Sequence, residues 1–332
     1  MKIAIIKPTI TISPTGGVKV QAEMWKRGLE LFDNEVILVN HWDDNDWKSF
    51  DVILFIQFGG LLYDYVKNLK TANNQLAIAP IIDTNLSPFR YRMLLKYLGV
   101  TKLHFKNRFH DFYSCRNDFK MYYVRSEYEK RYVTESLKIS EDKICIVPLS
   151  YRVSPPEDFP DKENFCFHAS LLADKRKNVV NLIRAAQKYK FPLILAGNLR
   201  NEKEKAWLNE LITGYDNISF VGKLTDEELF DYYKRAKVFA LPSINEGVGM
   251  VALEAAAYGC EIVLTELGAP KEYYKGQVHL VNPYDIDDIG TKIMSALKNP
   301  VYQPTLKKII NENYSLYACS KLLNNSLKEK FT

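Results

Sequence analysis

Short apolar segments of strand type alternate with longer segments of helix type along almost the whole chain. This alternation predicts an α/β architecture with parallel sheets, because parallel neighbours need a crossover and a helix is the usual one. The predicted strands are 2–6, 35–39, 52–56, 76–82, 120–124, 143–147, 165–169, 193–196, 218–221, 238–241, 262–265 and 278–281. The predicted helices are 18–32, 61–73, 89–98, 127–137, 179–189, 202–211, 226–235, 249–258 and 286–297.

A proline-rich segment near the middle of the chain, VSPPEDFP at 153–160, predicts a linker. The chain has 332 residues, of which 47% are hydrophobic, and this is enough for two cores. Each half then corresponds to one Rossmann-like doubly wound domain, with boundaries at 1–152 and 161–312.

The segment 241–272 reads LPSINEGVGMVALEAAAYGCEIVLTELGAPKE and predicts a strand, a glycine turn and a helix that stops at Gly259. Such a turn directs backbone N–H groups and a helix N-terminus at one place, which suits a phosphate. Glu246 and Glu254 lie eight positions apart beside that place. A phosphate flanked by sugar hydroxyls suits both halves of the pattern, because carboxylates accept hydrogen bonds from hydroxyls.

This string resembles the E-x7-E signature of the retaining glycosyltransferase family with the GT-B fold, the "glycosyl transferases group 1" type. The similarity continues through Gly259, the strand 261–263 and the segment 268–272. The alternative is an ordinary helix with two solvated glutamates. The resemblance implies two Rossmann-like domains facing across a cleft, with 1–152 binding the acceptor and 161–312 the nucleotide sugar. It also implies that 313–332 forms a closing helix that joins the first domain.

The resemblance also implies roles for individual residues. Glu246 holds donor-sugar hydroxyls and acts in catalysis, and Glu254 holds the nucleotide ribose. The rest of this donor-binding segment consists of Gly247, Val248, Gly249, Met250 and Val251. Val248 stands where relatives often have phenylalanine.

A second phosphate-binding candidate is the basic loop DKRKN at 174–178, between a predicted strand and a predicted helix. Cations there stabilise a diphosphate leaving group without a metal. The family's lysine matches Lys177, with Arg176 beside it, and both are predicted to be catalytic. The family's earlier arginine falls at Ser170 or Leu171, so Lys175 or Arg176 takes its role. A solvated basic loop is the alternative.

Two glycine-containing loops are further donor-binding candidates. Gly17, with Gly16, follows the first strand, where the family has a glycine loop. Gly222-Lys223-Leu224 corresponds to the loop that holds the nucleotide base. A simple turn explains either loop equally well.

The sequence contains fewer recognisable candidates for binding the acceptor. Asp83 follows a predicted strand, where relatives often have a His-Asp pair, and is predicted to orient or deprotonate an acceptor hydroxyl. Capping of the turn 85–88 is the alternative. His104 and His110 are weaker candidates for contacting the acceptor, His168 ends a predicted strand and is expected to line the cleft, and His41 and His279 have no supporting context.

Composition and motifs limit the cellular location and the kinds of ligand that we expect. The sequence lacks an apolar run of membrane-spanning length, a signal-peptide layout at 1–7 and any C-x-x-C pair among its five cysteines, and we expect a cytoplasmic protein. No metal or other cofactor is expected, and the acidic run 43–46 is interpreted as a solvated loop. Nucleic acid is not expected as a partner, because no recognition motif is present.

The segment 88–110 carries six Lys or Arg residues, no acidic residue and interleaved apolar residues. It predicts contact with the inner face of an anionic membrane or with a phosphorylated acceptor. A core-facing helix with a solvated basic side is the alternative.

Together these features predict a metal-independent, retaining, hexosyltransferase-like enzyme. It moves a sugar from a nucleoside diphosphate to a glycan or lipid-linked acceptor in polysaccharide, glycolipid or glycan assembly. The alternatives are a sugar-nucleotide-binding protein without activity and, on the same fold, a sugar-nucleotide epimerase or a glycan phosphorylase. A phosphorylase needs a pyridoxal lysine, for which the sequence has no motif.

Overall fold

A computed structural model describes residues 1–7, 17–40, 43–59, 61–98, 107–158 and 161–332. The chain divides into two compact units. Unit 1 consists of Met1–Ser150 and Tyr314–Thr332, and unit 2 of Tyr151–Asn313.

Unit 1 is built on a six-stranded parallel sheet in the order β2-β1-β3-β4-β5-β6. Its strands are β1 Lys2–Ile6, β2 Glu35–Leu38, β3 Val52–Ile56, β4 Leu76–Ala79, β5 Met121–Val124 and β6 Ile144–Ile146. Its helices are α1 Gly17–Glu30, α2 Leu62–Ala72, α3 Pro88–Tyr97, α4 Arg108–Cys115, α5 Glu127–Glu135 and the C-terminal α12 Leu316–Phe331.

Unit 2 has its own six-stranded parallel sheet, in the order β12-β11-β10-β7-β8-β9. Its strands are β7 Glu163–Ala169, β8 Leu193–Ala196, β9 Ile218–Phe220, β10 Ala236–Leu241, β11 Glu261–Thr265 and β12 His279–Val281. Its helices are α6 Val179–Tyr189, α7 Glu202–Ile212, α8 Asp226–Arg235, α9 Met250–Ala257, α10 Ile286–Lys298 and α11 Thr305–Tyr314.

The central strands are apolar on both faces, as β3 and β11 illustrate with every residue buried. This is the pattern of a parallel sheet covered by helices on both sides, and it confirms the α/β prediction. The strand order of unit 2 reverses between β7 and β10, and that of unit 1 between β1 and β3. In doubly wound sheets, ligands bind beyond the carboxyl ends of the strands at such a switch point.

Some predicted boundaries were wrong. The strand predicted over 76–82 ends at Ala79, because the backbone turns at Ile81, which has a φ of +56°. Two helices, α4 and α11, were not predicted. None of the helices in the described ranges is long and apolar enough to cross a membrane.

A lysine ties together the C-terminal ends of two helices in unit 2. The Lys162 ammonium donates to the carbonyls of Tyr233 and Lys234 at the end of α8 and of Tyr258 after α9, at 2.8–2.9 Å. Helix C-termini carry unpaired carbonyls and partial negative charge, so a cation there stabilises both ends. Burial nevertheless lowers the pKa of Lys162 below its ordinary value.

Helix α12 packs against α1 within unit 1 through a close approach at Gly28. A Cβ added at Gly28 would lie 1.8 Å from the Ser320 Oγ and 2.7 Å from the Ser320 Cβ. Nearby, the Asn34 side-chain amide donates to the Asn324 Oδ1 at 2.9 Å, and both residues are buried. The C-terminal helix is therefore fitted to α1 at short range.

We predict that Gly28→Ala destabilises unit 1 by up to about 2 kcal/mol. Overpacking a tight contact costs about 1–3 kcal/mol, and the better helix propensity of alanine returns about 1 kcal/mol. Urea titration monitored by tryptophan fluorescence measures the change. In a Ser320→Gly background, Gly28→Ala should lower the free energy of unfolding by less. An equal loss of stability in both backgrounds would contradict the packing argument.

Candidate functional site

Two loops of unit 2 meet at the switch point between β7 and β10. The first, 170–178, follows β7 and leads into α6, and the second, 242–249, follows β10 and leads into α9. The Lys177 Nζ lies 2.5 Å from the Glu246 Oε2, and the Ser243 hydroxyl donates to the same oxygen at 3.3 Å. Two side chains predicted to act in catalysis are thus in direct contact.

The backbone of the two loops is also joined. The Ile244 N–H donates to the Arg176 carbonyl at 2.8 Å. The buried Asn178 side chain donates to the carbonyls of Pro242 and Pro283, at 3.0 and 2.6 Å. These bonds fix the two loops independently of the Lys177–Glu246 pair, so that pair sits on a preformed frame.

The helices that start at this point lack side-chain caps. The N-cap residues of α6 and α9, Asn178 and Gly249, make no capping hydrogen bond. By contrast, Asn201, Thr225 and Asp285 cap α7, α8 and α10 with their side chains. The first-turn N–H groups of α6 and α9 therefore keep their capacity to donate to an anion.

The glycine turn before α9 depends on two left-handed glycines. Gly249 has a φ of +73°, and a Cβ there would lie 3.1 Å from the Leu241 side chain. Gly268 has a φ of +74°, and a Cβ added there would come close to the Glu246 carbonyl oxygen. In this turn Val248 is buried, whereas Gly247, Met250 and Val251 are partly exposed.

Ser170, which with Leu171 is one of the two positions where the family's arginine falls, is held by a buried histidine. The His168 Nδ1 lies 2.7 Å from the Ala240 carbonyl and its Nε2 lies 2.7 Å from the Ser170 Oγ. Because a carbonyl only accepts, Nδ1 carries the proton and Nε2 accepts from the serine hydroxyl. Burial, with a smaller effect of nearby Lys177, lowers the pKa of His168 to about 4.

Arg176 forms a salt bridge within its own loop. Its guanidinium binds the Asp174 carboxylate in its own loop at 2.6–3.1 Å, and its side chain is 66% exposed. This salt bridge is the main cause that lowers the Asp174 pKa. Lys175 is exposed in the same loop.

Glu254 lies in the second turn of α9 and is almost wholly buried, with 1% of its side chain exposed. The Arg152 Nε donates to its Oε1 at 2.7 Å, and the Tyr233 hydroxyl lies 3.4 Å from its Oε2. Burial raises the Glu254 pKa to about 7 although Arg152 lowers it. The two glutamates of the E-x7-E string thus have different environments, and each contacts a cation.

The other donor-binding candidates lie in loops. Gly222 has a φ of +82°, and its carbonyl accepts from the Gly197 N–H. The Lys223 side chain is exposed, and Leu224 lines a cavity of about 540 Å³ beside α8. Gly17 is the first residue of α1 and is exposed, and Gly16 lies outside the described residues.

Asp83 of unit 1 is held by a buried ion cluster. The Arg125 Nη2 donates to the Asp83 Oδ1 at 2.6 Å, and its Nε donates to Glu129 at 2.9 Å. Glu129 also accepts from the Ile82 N–H at 2.7 Å. The cluster follows β4 and β5, and the Asp83 side chain remains 41% exposed.

Of the histidine candidates, His168 is buried, His110 lies in α4, and His279 pairs with Glu261 at 2.9 Å. His41 and His104 lie outside the described residues. Within the described part of the chain, no group of three or more His, Cys, Asp or Glu residues is arranged to hold a metal ion.

Sequence reasoning missed Arg152, Asn178 and Arg125. Arg152 precedes the linker without any motif, and Arg125 follows β5 as an isolated basic residue. Asn178 had one usable signal, its place just before a helix, but that signal predicts a cap rather than a brace between loops.

Residues 153–316 match the family model described as "Glycosyl transferases group 1". This segment, which includes nearly all of unit 2, belongs to the glycosyl transferases group 1 family. It is 31% identical over 133 residues to the O-antigen chain mannosyltransferase B of Escherichia coli, a match that covers 38% of this chain and 35% of that protein. It is 32% identical over 115 residues to the mannosylfructose-phosphate synthase of Agrobacterium fabrum, covering 32% and 25%. The chain thus spans about a third or less of the length of these curated relatives.

Solved structures of glycosyltransferases share the fold. Sucrose-phosphate synthase from Thermosynechococcus elongatus superposes with a TM-score of 0.73 at 17% identity, over 99% of both chains. The lipopolysaccharide outer core galactosyltransferase WaaB gives 0.71 at 18% identity, over 99% of this chain and 100% of that one. These likenesses confirm the GT-B fold, with its two parallel six-stranded sheets.

The neutral, buried His168 predicts acid sensitivity of unit 2. Its pKa is about 4 in the folded chain and ordinarily 6.5. Above pH 6.5 the ring is neutral in both states. As the pH falls from 6.5 to 4 only the unfolded chain takes up the proton, so the free energy of unfolding drops by up to about 1.4 kcal/mol per pH unit.

Urea titrations across this pH range, on the wild type and on His168→Asn, measure the effect. The asparagine amide does not titrate, so the variant should lose less stability between pH 6.5 and 4. Parallel losses in both proteins would show that other groups cause the acid sensitivity.

Proposed function

We propose that this chain is a retaining glycosyltransferase that moves a hexosyl-type sugar from a nucleoside diphosphate to an acceptor hydroxyl. The contact between Lys177 and Glu246 carries the proposal. It puts a cation suited to a diphosphate beside a carboxylate suited to sugar hydroxyls, at the switch point and beside two uncapped helix N-termini.

The proposed chemistry rests on leaving-group stabilisation. As the bond between the sugar and the diphosphate breaks, negative charge builds on the phosphate oxygens. Lys177 and the first-turn N–H groups of α6 and α9 stabilise that charge with dipoles that are already oriented. Glu246 accepts from donor-sugar hydroxyls and fixes the sugar's orientation. No side chain is assigned as a nucleophile, and the leaving phosphate helps to deprotonate the acceptor on the same face of the sugar.

Arg176 and Ser170 complete the proposed donor contacts. Arg176 is held by Asp174 and reaches the diphosphate only by exchanging this carboxylate for a phosphate. Ser170 offers a hydroxyl, without charge, where the family has an arginine. The charge at the leaving group therefore depends more heavily on Lys177.

The remaining donor roles are proposed as the sequence assigns them. Glu254 binds the nucleotide ribose, Gly222 to Leu224 hold the base, and the turn 247–251 binds the diphosphate. Gly17 is also proposed as a donor contact.

For the acceptor, we propose that Asp83 binds or deprotonates the reacting hydroxyl. Its partner Arg125 is buried and fixes its position, while the carboxylate stays accessible. The similarity to the O-antigen chain mannosyltransferase B and the serotype-specific mannosyltransferase WbdA of Escherichia coli favours a glycan or lipid-linked acceptor in polysaccharide assembly.

Two alternatives lead to different products. A sugar-nucleotide-binding protein without activity would bind the donor and release nothing. An epimerase would interconvert donor sugars when no acceptor is present. Incubation with the donor alone detects an epimerase, whereas donor binding with no turnover against any glycan or lipid acceptor indicates the binding protein.

We predict that Lys177→Ala lowers kcat by roughly 10²–10³, the loss measured when one transition-state donor is removed. A thermal-shift screen of nucleoside diphosphates and their sugars selects the donor first, because a ligand that binds only the folded state raises the melting temperature. The kinetic readout is release of the nucleoside diphosphate.

Lys203→Ala is the control, since Lys203 is exposed on α7 of the same unit. It should retain most of the activity. Unchanged kcat in the Lys177 variant, or an equal loss in both variants, would contradict the role assigned to Lys177.

We further propose that α3 attaches unit 1 to an anionic membrane surface. The helix buries Pro88, Tyr91 and Leu95 towards the core. It exposes three other apolar side chains at helical spacing, Phe89 at 71%, Met93 at 43% and Tyr97 at 58%. A helix that only faces the core does not account for this second apolar stripe.

The charge of α3 also suits an anionic membrane surface. Arg90, Arg92 and Lys96 lie on the helix, which carries no acidic residue. Basic residues beside an exposed apolar stripe are typical of helices that lie in the interface of anionic membranes. The adjoining segment 99–106, part of the predicted basic stretch, lies outside the described residues.

The double variant Phe89→Ser with Met93→Ser should bind vesicles containing phosphatidylglycerol at least about tenfold more weakly, because two apolar side chains no longer enter the interface. Vesicle co-sedimentation measures this, with phosphatidylcholine alone as the neutral surface. Leu322→Ser is the control, since Leu322 is 47% exposed in the same unit. Equal binding to both vesicle types would contradict the proposal.

A further inference from the structure

Arg152 makes three contacts around the carboxylate of Glu254. Its Nε donates to the Glu254 Oε1 at 2.7 Å, and its Nη1 donates to the Asp226 Oδ1 at 2.8 Å. Its guanidinium also lies 5.7 Å from the centre of the Phe230 ring. The arginine therefore bridges α9 and the first turn of α8.

Burial shows which of these groups covers the carboxylate. Only 1% of the Glu254 side chain is exposed, and Tyr233, which faces its other oxygen, is fully buried. Arg152 is 26% exposed and Asp226 is 65% exposed. A ligand hydroxyl thus reaches Glu254 only when the partly exposed arginine moves.

We propose that Arg152 competes with the nucleotide ribose for Glu254 and so sets the affinity of the donor site. This inference rests on the proposed function, in which Glu254 binds the ribose. The guanidinium N–H donates to a carboxylate oxygen, as a hydroxyl of the vicinal diol would. Donor binding then exchanges the Arg152–Glu254 hydrogen bond for hydrogen bonds from the ribose.

Asp226 provides a place for the displaced arginine. It already accepts from Nη1, so Arg152 can leave Glu254 while its charge remains paired. The face of Phe230 lies close enough to give the cation a second favourable contact. The exchange therefore releases Glu254 without leaving the guanidinium unpaired.

The ionisation of Glu254 gives the competition a pH dependence. Four groups face this carboxylate, namely Arg152, Asp226, Tyr233 and Tyr258. Burial raises its pKa to about 7, and Arg152 is the largest opposing influence. Without Arg152 the pKa rises further, so near neutral pH the carboxyl would take up a proton and lose acceptor capacity.

Isothermal titration calorimetry with UDP and GDP, on the wild type and Arg152→Gln, tests the proposal. At about pH 9, above the pKa of about 7 that Glu254 has in the wild type, the variant should bind its preferred nucleotide roughly tenfold more tightly, because the competing charged hydrogen bond is gone. Near pH 7 this gain should shrink. With the 2′,3′-dideoxy nucleotide, which has no diol, the two proteins should bind equally.

A second variant covers the case in which Arg152→Gln folds poorly. Asp226→Asn removes the charge to which Arg152 withdraws, so nucleotide binding should weaken by several-fold. Arg235→Gln, an arginine at the far end of α8, serves as the control and should bind like the wild type.

The outcomes separate the two proposals. Equal or weaker nucleotide binding by folded Arg152→Gln at pH 9, or wild-type affinity in Asp226→Asn, would overturn the competition. If no variant and no wild-type sample binds any nucleoside diphosphate, the proposed function itself fails.

Discussion

Parallel pairing of β7 with β10 is the constraint on which the candidate site depends. It sets Cys166 beside Val238 and Phe167 beside Phe239, so both strands end at the same edge of the sheet. Loops that are 69 residues apart in the chain then meet closely enough for Lys177 to contact Glu246. The chemistry follows from strand order, because a different neighbour for β7 would separate the cation from the carboxylate.

Both glutamates of the E-x7-E string contact a cation, and the two contacts differ in kind. The Lys177–Glu246 pair is partly exposed, with 20% and 13% of the side chains accessible. Exchange of such a pair for ligand phosphate and hydroxyls involves little net desolvation. Glu254 is buried, so its exchange involves a larger change in solvation and depends more on geometry. Binding of the sugar end and binding of the nucleoside end of a donor would therefore involve different changes in solvation.

The sequence predicted what depends on local pattern. The bounds of the strand Lys2–Ile6 follow from its apolar run, and the structure has the same bounds. Loops after strands pointed to Lys177 and Glu246, because the ends of parallel strands collect at one edge.

Contacts between side chains in the folded chain could not be predicted from local sequence pattern. Arg152 meets Glu254 across 102 residues of sequence, and no spacing rule encodes such a pair. His168 was considered a lining residue of the cleft, yet its ring turns inward to the Ala240 carbonyl and is fully buried. Arg176 and Lys177 are adjacent in the chain, but one binds Asp174 and the other Glu246.

The missing caps of α6 and α9 have a consequence for the lifetime of the protein. A capping side chain typically adds about 1 kcal/mol to a helix, and these two helices forgo it at the point where a diphosphate would bind. Local opening is easier where stabilising contacts are fewer, and proteases act on open states. Any anion that binds only folded unit 2 at these helix starts would therefore also slow its degradation.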